Sequence, residues 1–109
     1  MTLLIWCAFV AAAILEVAGD AMIRKGLRGS GWAMIAAGCV TLALYGLMVN
    51  TVKWDFSRLL GVYVAFFATV SVLCGVLIFK ETAPTSTWAG LAIIIVGGLV
   101  IQFGPSWTR

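Results

Sequence analysis

Two carboxylates, Glu16 and Asp20, lie inside the first long apolar stretch of the chain. A charged residue at the centre of a bilayer costs about 2.5 to 3.5 kcal/mol on insertion scales, so such residues usually have a function. If Arg24 marks the end of the span, the helical rise places Glu16 about 12 Å and Asp20 about 6 Å into the lipid. Glu16 therefore lies near the middle of a hydrocarbon layer about 30 Å thick.

The spacing of Glu16, Asp20 and Arg24 places all three along one face of a helix. Asp20 can pair with Arg24 or reach interfacial water, so a structural and a functional role are equally open. Glu16 has no basic residue within reach on its own helix. Transfer from water into lipid disfavours the charged carboxylate, so Glu16 could exchange a proton for a cation near neutral pH. The alternative is a protonated glutamic acid that hydrogen-bonds at a helix interface.

Small and aromatic residues complete the predicted substrate and proton site. Ala12 and Gly19 lie one turn on either side of Glu16, where they leave room beside the carboxylate or allow close helix packing. Tyr63 has a ring face that can meet a cation and a hydroxyl that needs a partner in lipid. The predicted site therefore comprises Glu16, Asp20, Tyr63, Gly19 and Ala12. Other aromatic residues are weaker candidates: Tyr45, Phe66 and Phe67.

Four apolar segments must position these residues, at about 3–23, 32–52, 59–79 and 86–104. Each is long enough to cross a bilayer as a helix. The connections are short, so consecutive helices must be antiparallel neighbours. All five tryptophans lie at or near span ends, as in an interfacial aromatic belt. We predict an all-α membrane protein with four transmembrane helices in a single domain, 1–109.

The composition excludes several classes of protein. Of 109 residues, 63% are hydrophobic and only 10% are charged, against about 25% charged in ordinary soluble domains. A small soluble domain could not cover its surface with so few charges. The chain has no histidine, no nucleotide loop and no metal-ligand cluster, so we expect no enzyme, no cofactor and no metal. Without a basic cluster interleaved with aromatics, nucleic acid is not an expected partner, whereas membrane lipids are.

The last segment and the charge balance both bear on assembly. Gly90 and Gly97 lie two helical turns apart and, with Gly98, form a smooth strip that predicts a helix–helix contact, within the chain or between chains.

Three basic residues (Lys53, Arg58, Arg109) fall on one side of the membrane and four (Arg24, Lys25, Arg28, Lys80) on the other. Such a small bias lets the chain insert both ways or leaves orientation to another factor. A dimer would enclose a polar path among eight helices.

The first span resembles that of the small multidrug resistance transporters, within the wider drug/metabolite transporter superfamily. Glu16, Gly19 and Arg24 match that family's membrane glutamate, the glycine three residues on and the basic residue eight on. Phe79-Lys80-Glu81 resembles its segment after the third span, and Gly90 to Gly97 its dimer motif. The resemblance implies a multi-pass protein of the bacterial inner membrane that exports cations in exchange for protons. It also implies a dimer, often antiparallel, in which both glutamates form the site.

Several residues depart from that family's pattern. In the third span its substrate-contacting tyrosine falls on Leu60, its tryptophan on Tyr63, and its flexible glycine pair on Ala65 and Phe67. Asp20 replaces a small or hydroxyl residue. These departures indicate a divergent member, with a different substrate or as one half of a heteromeric pair. We expect a proton-coupled exporter of small or lipophilic organic cations. The alternatives are a flippase subunit for a lipid carrier and an accessory subunit of a larger membrane complex.

Overall fold

The computed structural model describes residues 2–107, which form four long helices. They are α1 (Leu3–Lys25), α2 (Trp32–Val49), α3 (Phe56–Leu77) and α4 (Thr85–Phe103). A turn, Gly26–Ser30, in which Arg28 and Gly29 leave helical geometry, follows α1, and a 3-10 turn, Gly104–Ser106, follows α4. The described part of the chain contains no β-strand. Arg109, which enters the charge balance, lies outside the described residues.

All four helices are long and apolar enough to cross a membrane. Their outward side chains are large and apolar: Leu4 is 80% exposed, Trp32 83% and Ile93 73%. Contact of this much apolar surface with water would be costly, whereas contact with lipid chains is not. The chain is therefore an all-α, multi-pass membrane protein, as the sequence predicts.

The helices form two compact units, one up to Val52 and one from Lys53 onward. In the first unit, α1 and α2 form a hairpin closed by the turn Gly26–Ser30. Gly29 and Gly31, in and directly after this turn, have φ angles of 131° and 88°. Residues with a Cβ atom rarely adopt such positive φ angles. The Gly31 N–H donates to the Gly26 carbonyl at 3.1 Å, which fixes the reversal of the chain. The expectation of a single four-helix domain stays a prediction.

The hairpin of α1 and α2 crosses where two glycines face each other. A Cβ on Gly38 would lie 2.8 Å from the carbonyl oxygen of Gly19, and a Cβ on Gly19 would lie 3.0 Å from that of Gly38. The two backbones therefore touch, in the manner of small-residue contacts between membrane helices. Further along the same interface the Thr41 hydroxyl lies 3.7 Å from the sulfur of Met22. These contacts fix the register between the two helices.

In the second unit, α3 and α4 pack against each other through small residues and one polar contact. A Cβ on Gly98 would lie 2.9 Å from that of Ala65. At one end, Nη2 of Arg58 donates to Oε1 of Gln102 at 2.9 Å. The Arg58 guanidinium also lies 3.9 Å from the centre of the Trp54 ring. Both contacts hold Arg58 at the end of the hairpin, where its charge remains close to the interface.

Most helix ends differ from the sequence prediction by one to three residues, and the differences in α2 and α3 involve polar residues at the helix ends. α2 stops at Val49 rather than 52, because polar side chains just after it hydrogen-bond to its last carbonyl groups. The side-chain amide of Asn50 donates to the Gly46 carbonyl at 2.8 Å, and the Thr51 hydroxyl donates to the Met48 carbonyl. α3 begins at Phe56 rather than 59, and its first turn includes Arg58, which hydropathy alone leaves out. It ends at Leu77 rather than 79, shortly before Lys80, whose φ is 57°.

Candidate functional site

Glu16 lies in the interior of the membrane-spanning helix α1, where its side chain is half-buried. It is thirteen residues after Leu3 and nine before Lys25, or about 20 Å and about 14 Å along the axis. Both distances place it well inside the hydrocarbon layer. Glu16 thus lies in the middle part of α1, and its role in binding stays a prediction.

Tyr45 of α2 lies across the hairpin from Glu16. The glycine crossing sets this arrangement: Gly19 meets Gly38 and Leu42, and Tyr45 follows Leu42 by about one turn while Glu16 precedes Gly19 by about one turn. Tyr45 is half-buried and within electrostatic reach of both Glu16 and Asp20. Two helices thus contribute a carboxylate and a phenol to the same level of the membrane.

The small residues beside Glu16 are packing residues in this structure. Ala12 is fully buried. Gly19 is also buried, and a Cβ on it would meet the side chain of Leu42 at 2.7 Å. Of the two roles open for Gly19, close helix packing is therefore the one the contacts support. Its effect on the site is indirect, because it fixes which part of α2 faces Glu16.

Asp20 lies one turn closer to the end of α1 and is exposed. Within residues 2–107 it forms no ion pair with Arg24, although the helical spacing allows one. It lies within electrostatic reach of Tyr45. Asp20 therefore contributes negative charge to the same side of the hairpin as Glu16.

Tyr63 belongs to the second compact unit. It lies on α3, is only 3% exposed, and follows Val62, whose carbonyl oxygen faces Gly98 of α4. The structure thus brings Glu16 and Asp20 of α1 within electrostatic reach of Tyr45 of α2, while Ala12 and Gly19 are buried on the same helix. The role of Tyr63 in the same site stays a prediction.

The three glycines predicted to pack a dimer divide into two groups. Gly98 is buried and meets Ala65 and the Val62 carbonyl inside the α3–α4 hairpin. Around Gly90 and Gly97, by contrast, the space that a Cβ would occupy is open. Gly98 is thus an intrachain packing residue, whereas Gly90 and Gly97 present a small-residue face on the outside of α4.

Sequence reasoning missed two features, each of which leaves a trace in the sequence. Gly19 and Gly38 are nearly equidistant from the turn at Gly29, which is the spacing expected of residues that face each other in an antiparallel hairpin. Gln102 is a polar residue near the end of an apolar span, where it needs a hydrogen-bond partner. Arg58 supplies that partner from α3.

A family model described as "Uncharacterised BCR, YnfA/UPF0060 family" matches residues 2–107. A UPF0060 membrane protein of Rhodococcus erythropolis is 36% identical to the chain, over 87% of this chain and 90% of that protein. A UPF0060 membrane protein of Ectopseudomonas mendocina is 32% identical over 96% of both chains. The UPF0060 membrane protein YfjF of Bacillus subtilis is 30% identical over 89% of this chain and 91% of its own. No solved structure gives a significant match.

Proposed function

Since the chain belongs to the YnfA/UPF0060 family of bacterial membrane proteins, we propose that it is a proton-coupled exporter of small or lipophilic organic cations. Glu16 is the shared binding site in this proposal. The protonated carboxyl group is neutral and tolerates the lipid environment. An arriving cation displaces the proton and is held by the resulting carboxylate. Because one group binds either proton or cation, the inward flow of protons can drive the cation outward.

The observation that carries the proposal is the juxtaposition of Glu16 with Tyr45 inside the membrane. Glu16 is half-buried in the interior of α1, and Tyr45 is within electrostatic reach of it from α2. A carboxylate supplies charge for a cation, and an aromatic ring supplies a face that attracts one. Buried ionisable residues in membrane helices are costly and generally mark ion or substrate paths.

We further propose that the active unit is a dimer, either of two identical chains or of this chain with a related partner. One chain contributes a single glutamate within its spans. A second chain would provide a second carboxylate and close a cavity between eight helices. The open face at Gly90 and Gly97 supports this proposal, since small residues on an outer face allow two helices to approach closely.

The decisive measurement is proton release from the purified protein in weakly buffered detergent solution when a cation is added. The panel includes guanidinium as a small polar cation and tetraphenylphosphonium as a lipophilic one. We expect wild-type protein to release protons with at least one of them and Glu16→Gln to release none. Glu81→Gln is the matched control, because it makes the same change in an exposed carboxylate outside the helices, and it should behave like wild type.

Three results would overturn the proposal. Unchanged proton release by Glu16→Gln would show that the titrating group lies elsewhere. The absence of release by the wild type across the panel, together with stable copurification of a larger complex, would favour an accessory subunit. Transport of an amphipathic lipid carrier without proton release would instead favour a flippase subunit.

A further inference from the structure

The first connection of the chain carries a concentration of positive charge that the proposed transport site does not use. Arg24 and Lys25 lie in the last turn of α1, and Arg28 lies in the turn that follows. All three side chains are exposed. No acidic residue occurs between Asp20 and Asp55 in the sequence. Within residues 2–107, none of the three cations forms an ion pair.

The other two connections differ in this respect. Between α2 and α3, Lys53 is followed closely by Asp55. The nearby Arg58 is already engaged by Gln102 and Trp54. Between α3 and α4, Lys80 is followed directly by Glu81. Within the part of the chain that the structure describes, the first connection therefore carries three cations that no side chain holds, with Asp20, one helical turn before Arg24, as the acid nearest to them in the sequence.

The surroundings of these cations are those of a membrane interface. Leu27 is 73% exposed and Trp32 is 83% exposed, so apolar and aromatic side chains flank the charges. Tryptophan at this depth anchors a chain in the headgroup region. The backbone of the turn is also well fixed, because Gly31 donates to Gly26 and Ile35 donates to Gly31 at 3.1 and 3.3 Å. The cations are thus held at headgroup depth by a rigid turn.

We propose that the first connection is a binding surface for anionic phospholipid headgroups. We define this surface as Arg24, Lys25 and Arg28 with the flanking Leu27 and Trp32. The three cations face the lipid phosphates, and the two apolar side chains insert beside the upper parts of the acyl chains. Charge complementarity favours this occupant, since an anionic lipid is the negative partner present at that depth. The surface lies beyond Asp20, toward the end of α1 and in the turn that follows. Lipid binding there does not depend on transport through Glu16.

The test measures the association of spin-labelled phosphatidylglycerol and phosphatidylcholine with the protein in phosphatidylcholine vesicles. The two labelled lipids carry the label at the same acyl position, and both leaflets have the same composition, so insertion orientation does not affect the result. We expect phosphatidylglycerol to bind about fivefold more strongly than phosphatidylcholine, because one well-placed cation contributes a preference of about this size. The preference should fall in 0.5 M salt, because the Debye length there is roughly a third to a half of its value in 0.1 M salt.

Two charge-matched triple variants separate this surface from net charge alone. Arg24→Gln, Lys25→Gln and Arg28→Gln together should abolish the preference. Lys53→Gln, Lys80→Gln and Arg109→Gln together remove the same charge elsewhere and should retain it. Arg28→Gln alone, a change in the turn after α1 rather than in the helix itself, should reduce the preference. Equal loss in both triple variants, or no preference in the wild type, would overturn the proposal.

Discussion

At Tyr45, the hydroxyl group and the aromatic ring can contribute separately to a cation site. The ring face attracts a cation, and the hydroxyl can interact with the carboxylate that holds it. Tyr45 has both Glu16 and Asp20 within electrostatic reach. Glu16 stands out as a candidate from the sequence alone, because a carboxylate deep in an apolar stretch is conspicuous. Tyr45 could not be separated from the other aromatic residues, because its closeness to Glu16 depends on helix register.

We predict that Tyr45→Phe weakens cation binding by roughly 2- to 10-fold, the range expected for loss of one hydrogen-bonding group. Tyr45→Leu should weaken it further, since that change also removes the ring. Cation-induced proton release, titrated at several cation concentrations, measures both effects. Wild-type affinity in Tyr45→Phe would exclude a role for the hydroxyl, and wild-type affinity in Tyr45→Leu would exclude Tyr45 from the site.

At the scale of the helices, the sequence predicts the number, type and approximate limits of the elements. Hydropathy locates spans well, since each must be long and apolar enough to cross the lipid. It does not locate helix ends that are set by individual hydrogen bonds, such as that of Asn50 with Gly46. It also does not reveal the crossing of Gly19 and Gly38, which follows from the geometry of the turn between the helices.

Two glycines of α2 give a matched test of that crossing. Gly38→Ala should destabilise the fold by about 1 to 3 kcal/mol, because the added methyl group would meet the backbone of α1. Gly46 has open space around it, so Gly46→Ala should stabilise α2 by about 0.5 to 1 kcal/mol through lower chain entropy. Unfolding from detergent micelles by sodium dodecyl sulfate, followed by far-UV circular dichroism, measures both changes.

Opposite signs for the two substitutions would support a tight contact of α1 with α2 at Gly38. If Gly38→Ala were as stable as Gly46→Ala, the two helices would not touch there. The register that places Tyr45 opposite Glu16 would then lose its support. A destabilised Gly38→Ala protein should also bind cations more weakly, because the change displaces α2 relative to Glu16.

At the scale of the whole molecule, the position of the small residues on α4 determines which of them can serve assembly. Gly98 and Leu91 are buried, and Gly98 faces α3. Gly90 and Gly97 lie two turns apart on another face, with open space beside them. Sequence spacing alone groups Gly98 with the other two, whereas the structure shows that it is already occupied. Of the three glycines, only Gly90 and Gly97 are therefore open to the contact between chains proposed above.

We predict that Gly97→Leu converts the proposed dimer to a monomer in mild detergent, because the leucine side chain would hold two copies of α4 apart. Ala92→Leu is the matched control: Ala92 is also exposed on α4, but lies nearly opposite Gly97 around the helix, and its variant should remain dimeric. Light scattering coupled to size-exclusion chromatography gives the mass of each protein after subtraction of detergent. A dimeric, transport-active Gly97→Leu protein would place this face of α4 against lipid. Dissociation of both variants would mean that any added bulk on α4 disrupts assembly, and the glycine face would have no special part in it.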